Sequence, residues 1–113
     1  MSTAARTPEE LETLFEDALL TEDSAAVTAL FADGAVLVRD GDRPARGEEI
    51  AVAALAAWNG DRPYLANPAT VVQARDIALV VGDAGVLVAR RDARGFWQYA
   101  IVLRLDSNET EME

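Results

Sequence analysis

Hydrophobic residues recur at helical spacing through the first twenty positions. Leu11, Leu14, Phe15, Ala18 and Leu19 fall on one stripe, while Glu9, Glu12, Glu16 and Asp17 fall between them and are expected to face water. Thr7 as N-cap, Pro8 at the first helical position and Glu10 completing a capping box mark where this helix starts. A break over residues 21–23 leads to a short second helix, capped by Asp23 or Ser24, with Val27, Leu30 and Phe31 inward and Gly34 as its stop. Residues 35–39 then read as a strand. Asp40-Gly41 is a tight-turn signal into a short return strand near 43–45, and Pro44 makes that strand an edge. A third, alanine-rich helix spans about 48–58 and stops at Gly60, and 59–68 is an irregular connection. Four strands follow at 69–74, 77–81, 84–90 and 96–105, with turns short enough to force antiparallel neighbours. Residues 1–7 and the acidic stretch 106–113 are expected to be disordered, which leaves one domain over 8–105. The fold class is α+β, three N-terminal helices packed on a curved antiparallel sheet.

The strands lack the alternation expected of a sheet with one wet face. Residues 77–81, 86–89 and 99–103 are apolar at consecutive positions, so both faces must be dry. Three helices cover one face only. An exposed apolar surface of that extent is unusual on a soluble monomer, and a second copy packed sheet to sheet about a twofold axis is the simplest cover. A homodimer is therefore expected.

Composition removes chemistries rather than adding them. The formal net charge is -10, which disfavours nucleic acid and anionic membrane surfaces as partners. Cysteine and histidine are absent and every basic residue is arginine. Thiolate catalysis, Ser-His-Asp arrangements and lysine Schiff bases cannot be built, and carboxylates alone suit zinc poorly. No cofactor and no metal site are expected. No apolar run has the length of a membrane span or the character of a secretion signal, so a cytoplasmic protein is expected.

Three segments in order resemble a known family. Residues 30–37 (Leu-Phe-Ala-Asp-Gly-Ala-Val-Leu), 44–50 (Pro-Ala-Arg-Gly-Glu-Glu-Ile) and 92–97 (Asp-Ala-Arg-Gly-Phe-Trp) are similar to segments of the nuclear-transport-factor-2-like superfamily, specifically its SnoaL-like and ketosteroid-isomerase-like bacterial members. The resemblance spans about residues 8–105. It implies a sheet wrapped into a cone, with a pocket for a small, largely apolar ligand between the concave face and the helices. It also implies three catalytic positions in the isomerases: a tyrosine on the first helix, an aspartate base late in the first strand and an aspartic acid on the penultimate strand. Here Phe15, Arg39 and Leu87 stand at those positions. Phe15 and Leu87 cannot donate a hydrogen bond to an enolate oxygen, and Arg39 cannot accept a proton near neutral pH. A shift of one residue in the first hairpin would bring Asp40 to the base position and turn Arg39 away.

By that analogy Phe15, Leu37, Arg39, Trp58, Tyr64, Leu87, Gln98, Ala100 and Val102 line the cone, with Arg104 at its mouth or in water, and Gln98 either orients a ligand or is a partly exposed structural residue. Trp97, Tyr99, Ile101 and Leu103 face the second subunit. Arg39 could grip a carboxylate, enolate or phenolate through its planar fork, or simply reach solvent or a neighbouring aspartate. Trp58 either stacks on a ligand or plugs the core at the end of its helix. Three functions remain open: a homodimer binding a small apolar molecule without the isomerase catalytic set, a carboxylate-dependent cyclase, isomerase or epoxide hydrolase using Asp40 and Arg39, and a non-catalytic dimerisation module with a filled core.

Overall fold

The computed structural model describes residues 4–39, 43–58, 64, 70–82 and 85–104. Helix α1 (Pro8–Leu20) is capped as its sequence requires, the Thr7 side chain accepting from the Glu10 backbone N–H at 3.0 Å. The reciprocal half of the box lands one residue earlier, on the Arg6 N–H, which donates to Glu10 Oε1 at 2.7 Å. Helix α2 (Ser24–Ala29) is capped by Asp23, whose carboxylate accepts from the Ala26 N–H at 3.1 Å. Helix α3 (Glu49–Ala57) lies between a two-residue strand and the connection that follows.

Among the described residues six strands form one sheet: β1 (Phe31–Arg39), β2 (Ala45–Arg46), β3 (Thr70–Ala74), β4 (Ile77–Gly82), β5 (Gly85–Arg91) and β6 (Trp97–Arg104), in the order β2-β1-β6-β5-β4-β3. The sheet is curved and helices cover one face, as the sequence predicts, but it is mixed rather than wholly antiparallel. β1 runs parallel to β6, which a long connection through α3 and the meander permits. β1 also starts at Phe31 rather than residue 35. Gly34 is no helix stop: at φ 82° it sits in an irregularity where the pairing jumps from Phe31↔Tyr99 to Val36↔Ile101.

Two further expectations are corrected. The N-terminal segment is not disordered throughout, because Ala5 is fully buried and bridges to Trp97, whose N–H donates to the Ala5 carbonyl at 2.8 Å. β6 does not alternate uniformly either. Opposite β5, Ala89 pairs with Tyr99 and Val88 with Ile101, so Ala100 is an extra residue, a β-bulge. The bulge resets which side chains face inward: Trp97 and Tyr99 before it, Val102 and Arg104 after it, all buried in the single chain.

The inner, helix-covered face carries rows such as Leu37, Val102, Leu87 and Val80, register neighbours on successive strands and all buried. The outer face is also apolar. Val72, Leu79, Val88, Ile101 and Val36 are register neighbours across five strands, and Val81, Val86, Leu103 and Val38 form a second row beside them. Among the described residues nothing covers these rows fully. Val72 is 53% exposed, Ile77 and Ile101 46% and Leu79 38%. Among the described residues no helix is long and apolar enough to cross a membrane.

Candidate functional site

The inner face collects a group of polar side chains inside an apolar shell. Glu12 lies one position beyond Leu11 and three before Phe15, in the middle of the stripe that α1 buries, and is only 2% exposed. Its Oε1 accepts from the Tyr64 hydroxyl at 2.5 Å and its Oε2 from the Tyr99 hydroxyl. One carboxylate thereby joins the first helix, the connection after α3 and the last strand. Burial raises the Glu12 pKa above its ordinary 4.5; the two phenol hydrogen bonds oppose that rise and the Glu16 charge adds to it. Burial and the neighbouring carboxylate also push both phenols far above their usual range, so they remain hydrogen-bond donors.

An aromatic cluster surrounds this network. Phe15 meets Phe31, Trp58, Tyr64 and Tyr99 edge-on at centroid distances of 5.8, 5.6, 4.8 and 5.1 Å, and Trp58 meets Tyr64 at 5.2 Å. Edge-to-face contacts at these distances are favourable beyond the area they bury. They pack this end of the inner face closely. Chemically, the network can hold or release one proton out of contact with water. It also offers phenol donors of the type that stabilise a developing oxyanion, provided a reacting atom comes within about 3 Å.

A second polar group lies further along the same face. Arg39 is the register partner of Arg104 at the ends of the parallel strands β1 and β6, next to the Leu37–Val102 row. Arg104 is 6% exposed, and Arg39 is half-buried with its Nε out of solvent.

The structure brings together much of the predicted lining: Phe15, Leu37, Trp58, Tyr64, Leu87 and Val102 are all buried in the one core, and Trp58 plugs it at the end of α3. The bulge displaces the rest. Gln98 points away from the cone, its side-chain amide donating to the Ala29 and Phe31 carbonyls at 3.2 and 3.4 Å, where it fastens β6 to the start of β1. Ala100 is the bulged residue. Trp97 and Tyr99 face the helices and are unavailable to a partner, whereas Ile101 and Leu103 lie on the outer face. Asp40 falls outside the described residues. Glu12 reads as solvent-facing in the sequence because it is acidic, although its spacing from Pro8, Phe15 and Leu19 is that of the buried stripe. Hollows of about 620 Å³ beside Arg43 and Val52, and about 270 Å³ beside Asp33 and Gly47, lie outside the cone and touch none of the predicted lining.

No family model matches the sequence, and no curated protein matches it. Solved structures match over most of its length. A ketosteroid isomerase-like protein from Erwinia carotovora atroseptica superposes with a TM-score of 0.65 at 21% identity, covering 86% of this chain and 91% of that one. A protein of unknown function with a cystatin-like fold from Nostoc punctiforme gives 0.60 at 20%, covering 87% of each. An NTF2-like protein with a cystatin-like fold from Novosphingobium aromaticivorans gives 0.62 at 14%, covering 88% and 79%. The chain thus has the cystatin-like, nuclear-transport-factor-2-like fold, shared with ketosteroid isomerase-like proteins. Identities this low carry the fold and no activity.

Proposed function

We propose that the protein is a cytoplasmic homodimer, joined through the outer face of its sheet, that binds a small and mostly apolar molecule on the inner face without the ketosteroid isomerase catalytic set. One observation supports the binding reading: Glu12 with its two phenols, and Arg39 with Arg104, are two polar groups set apart along one otherwise apolar inner face. A few placed polar groups in an apolar setting are the usual make-up of a small-molecule site. Phe15 and Leu87, at two of the three positions that the isomerase resemblance marks, have no polar atom to offer a reaction. The apolar rows of the outer face support the dimer, because a surface of that extent calls for a cover.

The close aromatic packing around Phe15 favours one rival, a dimerisation module whose inner face is filled. Methyl and backbone NMR during titration with 2-naphthol, a neutral aromatic alcohol, separates the two. Binding at the inner face shifts Leu37, Leu87, Val102 and Ala54 saturably and leaves Val72 and Leu79 unmoved. No saturable shift up to the solubility limit, or shifts confined to the outer face, contradicts the binding reading and favours the filled module.

A further inference from the structure

We propose that the groove between β2 and α3 binds a short apolar peptide with free termini, its carboxylate on Arg43 and its ammonium group on Glu48 and Glu49. The inference is independent of whether the inner face takes a ligand, since this groove lies outside the cone. The hollow holds about 620 Å³, within the range of roughly 300–1,000 Å³ that small-molecule sites occupy. β2 and α3 are joined only by Gly47 and Glu48, so the chain doubles back and both elements line the same groove. Pro44 and Ala45 supply the strand wall, and Val52 and Ala53 the helix wall. From Ile50 to Ala57 no side chain carries a polar atom. A helix that is apolar all round is normally covered all round. α3 buries Ile50, Ala51, Ala54 and Ala57, yet Val52 is 71% exposed, more than any other large hydrophobic residue among those described.

The charges stand at opposite ends of this apolar groove. Glu48 and Glu49 lie at the turn into α3, whereas Arg43 lies three residues before the end of β2, about 10 Å away at about 3.3 Å per extended residue. Among the described residues the side chains of Arg43, Glu48 and Glu49 take part in no hydrogen bond or ion pair, and Glu48, at the N-cap of α3, makes no capping bond. A base at one end and acids at the other complement a ligand of reversed polarity, and the planar guanidinium takes a carboxylate bidentately. Three extended residues span about 10 Å, so a tripeptide reaches both ends. An extended backbone also suits the neighbouring strand, because β2 is the edge of the sheet and pairs with β1 on one side alone. A second copy of the chain fits less well: a standard interface buries about 800 Å² per partner, and a groove about 10 Å long accepts only a few residues.

Methyl NMR of the full chain during titration with alanyl-leucyl-alanine tests this, alongside the same peptide N-acetylated or C-amidated. The Ala45, Val52 and Ala53 methyls are expected to shift saturably while those of Leu37 and Val72 stay still. Blocking either terminus is expected to weaken binding at least about threefold, the scale of an exposed ion pair. Arg43→Met is expected to erase the penalty of amidation and keep that of acetylation, and the double variant Glu48→Gln/Glu49→Gln is expected to do the reverse. All three side chains are exposed, so these variants are expected to fold, and the blocked peptides carry the test on the unaltered chain in any case. Absence of saturable shifts at the groove, equal affinities for free and blocked peptides, or penalties that survive in the variants each overturn the site. Val52 shifts that follow protein concentration without peptide make a second copy the occupant and overturn it as well.

Discussion

Tyr99 donates its hydroxyl to the Glu12 carboxylate, joining the last strand to the first helix across 87 positions of sequence. Tyr64 shares the same acceptor from the connection after α3. Three segments distant in sequence thus meet at one buried acid, and much of the energetic behaviour of the fold is decided there.

Glu12 makes stability depend on pH with a definite sign. Its folded pKa is raised, so between 4.5 and that raised value the folded state binds more protons than the unfolded state. The Glu12 contribution therefore falls as pH rises through that window. Glu12→Gln removes the titration: relative to wild type, the variant gains stability as pH rises through that window, by about 1.4 kcal/mol per pH unit where the two states differ by a full proton. Urea denaturation at intervals from pH 4.5 to 8 measures this, and a stability difference flat in pH contradicts it.

Tyr64→Phe and Tyr99→Phe each remove one donor from the shared carboxylate. Each is expected to cost about 1–3 kcal/mol, the range for a hydrogen bond to a charged, buried group. Because both act on one acceptor, the double variant departs from the sum of the singles by more than about 0.5 kcal/mol. Chemical denaturation of the four-member cycle decides it, and strict additivity would mean that the two bonds are independent.

Gly85 carries a backbone constraint of a different kind. It has φ 141°, and a Cβ there would stand 2.0 Å from the Leu103 carbonyl oxygen on β6. Gly85→Ala is expected to cost more than about 2 kcal/mol, since neither backbone can withdraw without breaking the β5–β6 ladder. Thermal unfolding checks this, and a change below about 0.5 kcal/mol would show that the strands can separate there.

Most of the fold was legible because its signals are local. Thr7, Pro8 and Asp23 set the helix starts, and the turns at Arg75-Asp76 and 92–95 set the meander, where Asp92 accepts from the Arg94 and Phe96 N–H groups. What could not be read depended on distant partners. The parallel pairing of β1 with β6 has no local signature. The bulge at Ala100 exists only against β5, and it reversed the assignment of Trp97, Tyr99 and Gln98 while leaving Val102, Ile101 and Leu103 on their expected faces. An acid in such a stripe is normally expelled, so Glu12 reads as solvent-facing in the sequence, and two phenols from elsewhere in the chain make its burial tolerable. Arg39 was legible as a candidate and Arg104 only as a strand end; their adjacency required the register.

The absence of a wet side to the sheet is the claim on which the proposed assembly depends, and sedimentation equilibrium at micromolar concentration tests it most directly. The wild-type chain is expected to sediment at twice its monomer mass of 12.1 kDa. Ile101→Lys, which places a charge at the centre of the outer face, is expected to sediment as a folded monomer with unchanged far-ultraviolet circular dichroism. A wild-type protein that is monomeric throughout the micromolar range, with Val72, Leu79 and Ile101 open to water, would contradict the account.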